Sequence, residues 1–122
     1  MIVSIDFDSD EALYIQLRNQ IILRIAMAEL RDGDSLPSVR EMADDIGINM
    51  HTVNKAYSIL RQEGYVKLNR RQGAVIALNC DKAVAIEEFR QQLRVLMARA
   101  ICKNLSYDEI SRVVEETYHE FM

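Results

Sequence analysis

The 122-residue chain is 49% hydrophobic and 28% charged, which is the composition of a globular protein large enough for its own core. Its apolar runs are short and its acidic N-terminus lacks the features of a signal peptide, so we expect no membrane association and a cytoplasmic location. The net charge of −4 is uneven, because residues 46–80 carry five basic side chains and one acidic one, whereas the flanking segments are acidic.

The first predicted element is a helix. Large apolar residues recur at helical spacing over residues 14–28, which indicates a broad buried face. We expect Asp8, Ser9 or Asp10 to cap the start of this helix, and Gly33 to mark its exit.

A second, shorter helix is predicted after Pro37, the only proline of the chain. Ser38 and Glu41 have the spacing of a capping box, in which each side chain binds a free backbone amide at a helix start. Gly47 should end this helix in a turn that needs a positive φ.

A third helix is predicted over residues 50–63, with Asn49 as its N-cap. Its apolar positions leave an outward face without a single carboxylate, formed by Met50, His51, Asn54, Lys55 and Ser58, with Thr52 near the N-terminal rim. A β-hairpin should follow, because an alternating stretch, Tyr65–Leu68, and an apolar run, Ala74–Leu78, flank the turn sequence "NRRQG". The hairpin therefore carries a basic tip.

Residues 81–122 return to helical spacing in two predicted helices, the second of which begins with a capping box of Ser106 and Glu109. Two such helices cannot bury both of their apolar stripes against each other. We expect them to pair with the same segment of a second chain, although closure over the rest of a monomer is the alternative. The predicted dimerisation residues are Ile86, Phe89, Leu93, Leu96, Met97, Ile110, Val113, Val114 and Tyr118.

This order of elements predicts an α+β, mainly α fold, with a winged helix-turn-helix DNA-binding domain at residues 1–80 and a two-helix dimerisation segment at residues 81–122. In such a domain the third helix enters the major groove of DNA, where base edges offer hydrogen-bond donors and acceptors. Phosphates line the groove, so a carboxylate on the outward face would be repelled. The acid-free face of the third helix is typical of a DNA reader.

The stretch "LPSVREMADDIGINMHTVNKAYSILRQEGYVKLNRRQGAVI" resembles the DNA-binding domain of GntR-family bacterial transcription regulators, and "YIQLRNQI" together with the short C-terminal segment resembles the YtrA-type branch. The resemblance implies a repressor that binds a palindromic operator as a homodimer, through a recognition helix at about 50–63 and a wing at about 69–73. Many relatives have arginine at the positions of Met50 and Asn54, and a proline at Ala12. The DNA-contacting residues that the resemblance implies, together with the exposed residues of the third helix, are Ser38, Arg40, Asn49, Met50, His51, Thr52, Asn54, Lys55, Arg70, Arg71, Gln72 and Gly73.

Two other classes of function fit the sequence less well than DNA binding does. A winged-helix module that binds proteins and not DNA is the alternative, but the missing carboxylates and the basic tip argue against it. An enzyme is disfavoured because no catalytic triad, phosphate loop or carboxylate pair is present. We expect no cofactor and no metal, and any small-molecule effector would bind at the dimer interface or between the tail and the winged domain. Cys80 and Cys102 are expected to be buried thiols, with redox sensing as the alternative.

Overall fold

A computed structural model describes residues 3–78 and 81–122, which divide into two units, Met1–Asn79 and Cys80–Met122. The N-terminal unit contains three helices and a two-stranded antiparallel sheet, and the C-terminal unit contains two helices. The helices and strands follow the order of a winged helix-turn-helix followed by a helical segment. The predicted α+β, mainly α fold class is therefore confirmed.

Helix α1 spans Leu13–Ala26 and contributes the fully buried side chains of Leu17 and Ile21 to the core. The predicted cap at its start is wrong, because the N-cap is Ala12 and no side chain caps the helix. The buried side chain of Gln16 organises the preceding segment instead. Its amide oxygen accepts a hydrogen bond from the Asp6 amide, and its amide nitrogen donates to the carbonyl oxygens of Asp6 and Glu11.

The end of α1 also differs from the prediction, because the helix stops at Ala26 and not near Gly33. Ala28 has a positive φ of 61°, so the chain reverses there. This reversal directs the amides of Glu29 and Leu30 back to the Arg24 carbonyl oxygen and places Leu30 against the core. The tertiary contact of Leu30 therefore outweighs the helical spacing that continues to Ala28.

Helices α2 (Val39–Ile46) and α3 (Met50–Gln62) form the helix-turn-helix. The predicted capping box of Ser38 and Glu41 is present, and Gly47 ends α2 with a φ of 76° in the left-handed region. The Asn49 side chain caps α3 by accepting a hydrogen bond from the His51 amide, as predicted. These local signals set the geometry of the turn that orients α3.

The wing is a hairpin of β1 (Val66–Asn69) and β2 (Gly73–Ile76), with Val66 opposite Ile76 and Asn69 opposite Gly73. Hydrogen bonds from the Gly33 amide to the Ile76 carbonyl oxygen, and from the Ile76 amide to the Asp34 carbonyl oxygen, attach the base of the wing to the preceding loop. The alternation predicted for the first strand fails at Leu68. This side chain shares a hairpin face with the buried Val66, but it is 66% exposed.

The C-terminal unit consists of α4 (Lys82–Cys102) and α5 (Tyr107–His119), and neither helix contains a buried residue. Asp81 caps α4, and the predicted capping box of Ser106 and Glu109 opens α5. The pKa of the Glu109 carboxyl lies below its ordinary value, mainly because of a hydrogen bond with the Ser106 amide and to a smaller extent because of one with the Ser106 hydroxyl.

Of the two cysteines that were predicted to be buried, only Cys102 lies in the described part of the chain. Cys102 is exposed, so the prediction of a buried thiol is wrong for this residue, because the surrounding helix is not covered within the unit. Cys80 lies outside the described residues. Among the helices of the described ranges, none has the length and apolar character needed to cross a membrane.

Candidate nucleic-acid interface

The outward face of α3 carries a row of four exposed side chains, which are His51, Asn54, Ser58 and Arg61. Their spacing of three, four and three residues places them along one side of the helix. The opposite side is fixed in the core by Val53, Ala56 and Leu60, which are all fully buried. Because packing determines which side of α3 is outward, the row is held in a defined orientation without being part of the core.

The side chains of the row are available for intermolecular hydrogen bonds. Neither His51 nor Asn54 makes a side-chain hydrogen bond or ion pair with any residue in the described part of the chain. Asn49 differs, because its side-chain oxygen accepts from the His51 amide at 2.7 Å and is engaged in capping. The Asn49 amide group is then left to donate. Met50 is also exposed, and Thr52 is half-buried at the rim.

Lys55 occupies a different place from the rest of the predicted set. Its ammonium nitrogen lies 4.0 Å from the centroid of the Tyr14 ring, so α1 and α3 are linked by a cation–π contact. Such a contact at an exposed site contributes about 0.5–1 kcal/mol. Lys55 is thus on the flank of α3 that faces α1, which the sequence could not indicate because the partner residue is 41 positions away.

The start of α2 is tied to α3 through a buried tyrosine. The Tyr57 hydroxyl donates a hydrogen bond of 2.8 Å to the carbonyl oxygen of Pro37, directly before the cap residue Ser38. Burial, with a smaller contribution from the negative charge of Glu41, raises the pKa of Tyr57 far above its ordinary value. The hydroxyl therefore remains protonated and donating. Arg40, two residues beyond the cap, is exposed.

The tip of the wing is shaped by the side chain of Asn69, which is not among the predicted DNA-contacting residues. The Asn69 side-chain oxygen accepts hydrogen bonds from the amides of Arg71 at 2.8 Å and Gln72 at 3.3 Å. An asparagine at the start of a turn is the local signal for this arrangement. The side chains of Arg70 and Arg71 are exposed and make no bond to another described residue.

Gly73 closes the turn with a φ of 73°, a conformation that residues with a β-carbon rarely adopt. A β-carbon added at this position would meet no atom within 4 Å. The glycine is therefore required by the backbone conformation and not by a lack of space.

A cleft of about 350 Å³ connects the separate parts of the predicted site. It is lined by Ser38 from the start of α2, by Asn54 from α3 and by Gly73 from the wing. Three predicted DNA-contacting residues from three elements thus border one depression. The same cleft is lined by Ser58, Arg61 and Leu68, none of which belongs to the set of predicted contact residues.

The nine residues predicted to form a dimer interface remain accessible within the C-terminal unit. Ile86, Phe89, Leu96, Val113, Val114 and Tyr118 are more than half exposed, and Leu93, Met97 and Ile110 are partly covered. An open groove of about 390 Å³ between α4 and α5 is lined by six of the nine, which are Leu93, Leu96, Met97, Ile110, Val113 and Val114.

Known proteins that are similar to this chain are bacterial transcriptional regulators. Residues 12–76 match the family described as "Bacterial regulatory proteins, gntR family". The chain is 39% identical over 87 residues to the uncharacterized HTH-type transcriptional regulator YhcF of Bacillus subtilis, covering 71% of this chain and 69% of that protein. It is 30% identical over 118 residues to the HTH-type transcriptional repressor YtrA of the same organism, covering 93% of this chain and 90% of that protein.

Solved structures with the same fold include a transcription factor and a DNA complex. YtrA from Sulfolobus acidocaldarius, a GntR-family transcription factor, is 41% identical with a TM-score of 0.60, covering 97% of each chain. The AraR DNA-binding domain in complex with operator ORX1 shares the fold, with a TM-score of 0.54 and 20% identity over 63% of this chain and 99% of that one. The resemblance to the YtrA-type branch is confirmed, and the chain belongs to the GntR family of transcriptional regulators.

Proposed function

We propose that this protein is a sequence-specific DNA-binding repressor that binds a palindromic operator as a homodimer. The observation that carries the proposal is the exposed, acid-free row on α3, whose side chains have hydrogen-bonding capacity and no partner within the described chain. The name of the YtrA relative, a transcriptional repressor, supports repression as the outcome.

In this proposal α3 lies in the major groove. His51 and Asn54 read base edges, Met50 contacts a thymine methyl group, and the start of α2 contacts the backbone through Arg40. The remaining predicted contacts on these elements are Ser38, Asn49, Thr52 and Lys55. The Ser38 oxygen accepts from the Glu41 amide, which leaves its hydroxyl proton free to donate to a phosphate.

The wing enters the adjacent minor groove in this proposal. Arg70, Arg71 and Gln72 form its exposed tip, and Gly73 sets the backbone direction that presents them. Cationic side chains are attracted to the strong negative potential of a narrow minor groove. The basic tip therefore adds affinity for many sequences, whereas α3 supplies the discrimination among them.

The homodimer is supported by the state of the C-terminal unit. A unit of this size with no buried residue in either helix cannot stabilise itself, because a peptide that short buries too little apolar surface. We assign residues 1–80 to DNA binding and residues 81–122 to dimerisation. A twofold dimer presents two copies of α3 to half-sites about 34–36 Å apart, which is one turn of DNA.

The cellular setting and regulation follow from these assignments. A protein that binds chromosomal DNA acts in the cytoplasm of a bacterium. An effector, where one exists, would bind at the α4–α5 groove or the dimer interface and shift the population of dimers with the operator spacing. No cofactor is required for operator binding in this proposal.

Selection of bound DNA from a random pool tests the proposal. We expect enrichment of an inverted repeat with half-sites about one helical turn apart. Sedimentation of the free protein should give twice the chain mass of 14.1 kDa. A pool that shows no enriched sequence after repeated rounds would support the alternative, a winged-helix module that binds proteins.

A further inference from the structure

The cleft between α3 and the wing is a built surface that the proposed contacts leave largely unexplained. It measures about 350 Å³, and its polar lining includes Ser58 and Arg61 at the C-terminal half of α3. No carboxylate lines it, although the N-terminal unit as a whole is rich in carboxylates. The nearby Glu41 carboxylate is occupied by the Ser38 amide within the capping box.

Two lining side chains have no evident role in the fold. The Arg61 guanidinium is exposed and makes no ion pair or hydrogen bond with the described residues. Leu68 is 66% exposed, although the other three members of its hairpin face, which are Val66, Ala74 and Ile76, are buried. A free guanidinium and an exposed leucine that line one cleft provide a surface for an anion and an apolar group.

The geometry of DNA specifies an occupant for this position. When α3 lies in a major groove and the wing tip lies in the neighbouring minor groove, one sugar–phosphate strand separates the two grooves. That strand must pass between α3 and the wing. α3 and the wing form two walls of the cleft, and the start of α2 closes it on a third side.

We propose that the cleft holds one operator strand, in which Arg61 and Ser58 bind a phosphate and Leu68 packs against the adjoining deoxyribose. The proposal rests on the proposed function and adds three contacts to it. A guanidinium suits this position because its planar donors match two phosphate oxygens at once. The DNA backbone alternates an anionic phosphate with a less polar deoxyribose. Arg61 can bind the phosphate, and Leu68 can contact the deoxyribose.

Salt dependence of operator binding tests the role of Arg61. Arg61→Gln should lower the slope of log K against log salt by about one unit, because one phosphate contact and its released counterion are lost. Arg31→Gln is the matched control. Arg31 is also exposed, but its loop is hydrogen-bonded to the end of β2 that lies away from the wing tip, so the slope should not change.

Neutral phosphates locate the contact on the DNA. Single methylphosphonates placed along the operator should weaken wild-type binding roughly tenfold at the phosphate between the two grooves, because a hydrogen bond to a charged group is lost. The Arg61→Gln protein should be insensitive at that phosphate only. Thermal unfolding of each variant confirms that the fold is retained.

Leu68 is tested by a pair of substitutions. Leu68→Ala should weaken binding by a few-fold through loss of apolar contact, and Leu68→Glu should weaken it far more, because it places a carboxylate beside the strand. Since the side chain is exposed, neither change should lower the unfolding temperature.

The outcomes separate this inference from the function on which it rests. Wild-type protein could bind an operator with a steep salt dependence while Arg61→Gln has the same salt slope and the same sensitivity to every methylphosphonate. In that case the strand does not occupy the cleft, and only this inference fails. If a small anion such as inorganic phosphate occupies the cleft without competing with DNA, the assigned occupant is wrong. If wild-type protein binds no DNA, both proposals fail.

Discussion

The hydroxyl of Tyr57 on α3 donates to the carbonyl oxygen of Pro37, 2.8 Å away and one residue before the cap of α2. Through this bond α3, which carries the proposed base-reading row, also positions the segment that carries Ser38 and Arg40. Tyr57 is thereby a structural link between two parts of the proposed interface, and it is buried to 7% exposure.

Replacement of Tyr57 by phenylalanine should destabilise the protein by about 1–3 kcal/mol, because the Pro37 carbonyl oxygen would be left without its partner in a region of low exposure. Urea unfolding measures this change. Tyr65→Phe is the matched control, since the half-buried Tyr65 side chain packs against the same core without a hydroxyl bond to a described residue. An equal decrease in the free energy of unfolding of the two variants would contradict a specific role for the Tyr57 hydroxyl.

The same residue gives a pH dependence. Burial raises the pKa of Tyr57 above the ordinary value of 10.0, so the folded state keeps a proton that the unfolded state releases. The protonated Tyr57 hydroxyl therefore contributes fully to the free energy of unfolding below pH 10. This contribution decreases as the pH rises above 10, by up to about 1.4 kcal/mol per pH unit. Unfolding of wild type and Tyr57→Phe between pH 8 and 11 should show a shallower alkaline decline in the variant, whereas parallel declines would contradict the burial of the hydroxyl.

The wing tip depends on the conformation of Gly73. Gly73→Ala should cost about 1–2 kcal/mol, because alanine is disfavoured at a positive φ, and the displaced tip should bind DNA of all sequences more weakly. Gly73→Asn should recover part of both losses, since asparagine tolerates this region. Unfolding and operator binding by both variants check the prediction. A β-carbon at this position meets no other atom, so we attribute the loss to the backbone conformation and not to a steric clash. If Gly73→Asn were less stable than Gly73→Ala, a steric clash would be the better explanation.

Discrimination among bases is assigned to His51 and Asn54. Substitution of either by alanine should reduce discrimination at one position of each half-site by ~1–3 kcal/mol, while binding to unrelated DNA changes little. Arg31→Ala is a suitable control, because Arg31 is exposed in the loop that is hydrogen-bonded to the end of β2 away from the wing tip. Binding to a panel of single-base operator variants measures the effect, and an unchanged preference at every position would remove the residue from the reading set.

Dimer formation is assigned to the exposed apolar face of the C-terminal unit. Val114→Asp places a charge in the α4–α5 groove and should convert the dimer to a monomer, since an unpaired charge cannot be buried without a large penalty. Operator affinity should then fall by about 100-fold, as the two half-sites would no longer be bound jointly. Sedimentation and operator titration follow both effects. Glu116→Gln, at a neighbouring exposed position, should remain dimeric. A Val114→Asp protein that also remains dimeric would place the interface elsewhere.

Local signals made much of the fold predictable, whereas contacts between distant residues did not. Ser38, Gly47 and Asn49 act on backbone groups within a few positions, so the helix-turn-helix and its caps could be read from the sequence. The predicted cap of α1 was wrong because the Gln16 side chain, from within the helix, hydrogen-bonds the backbone of Asp6 and so fixes the preceding segment. A capping search that considers only Asp8, Ser9 and Asp10 cannot detect such a contact.

The candidate site shows the same division. The outward orientation of His51 and Asn54 followed from helical spacing, because their neighbours on α3 had to fill the core. The position of Lys55 over Tyr14 and the cleft beside Arg61 depend on how α3 packs against α1 and the wing. Such packing between distant elements is not encoded in local sequence patterns.

We propose that the exposed row of α3 and the wing tip form one DNA-binding surface. Amide chemical-shift perturbation during titration of the isotope-labelled protein with a selected operator is a direct test of that surface. We predict that the largest shifts fall at residues 50–54 and 70–73. Shifts confined to the exposed side of α1, with residues 50–54 and 70–73 unchanged, would contradict it.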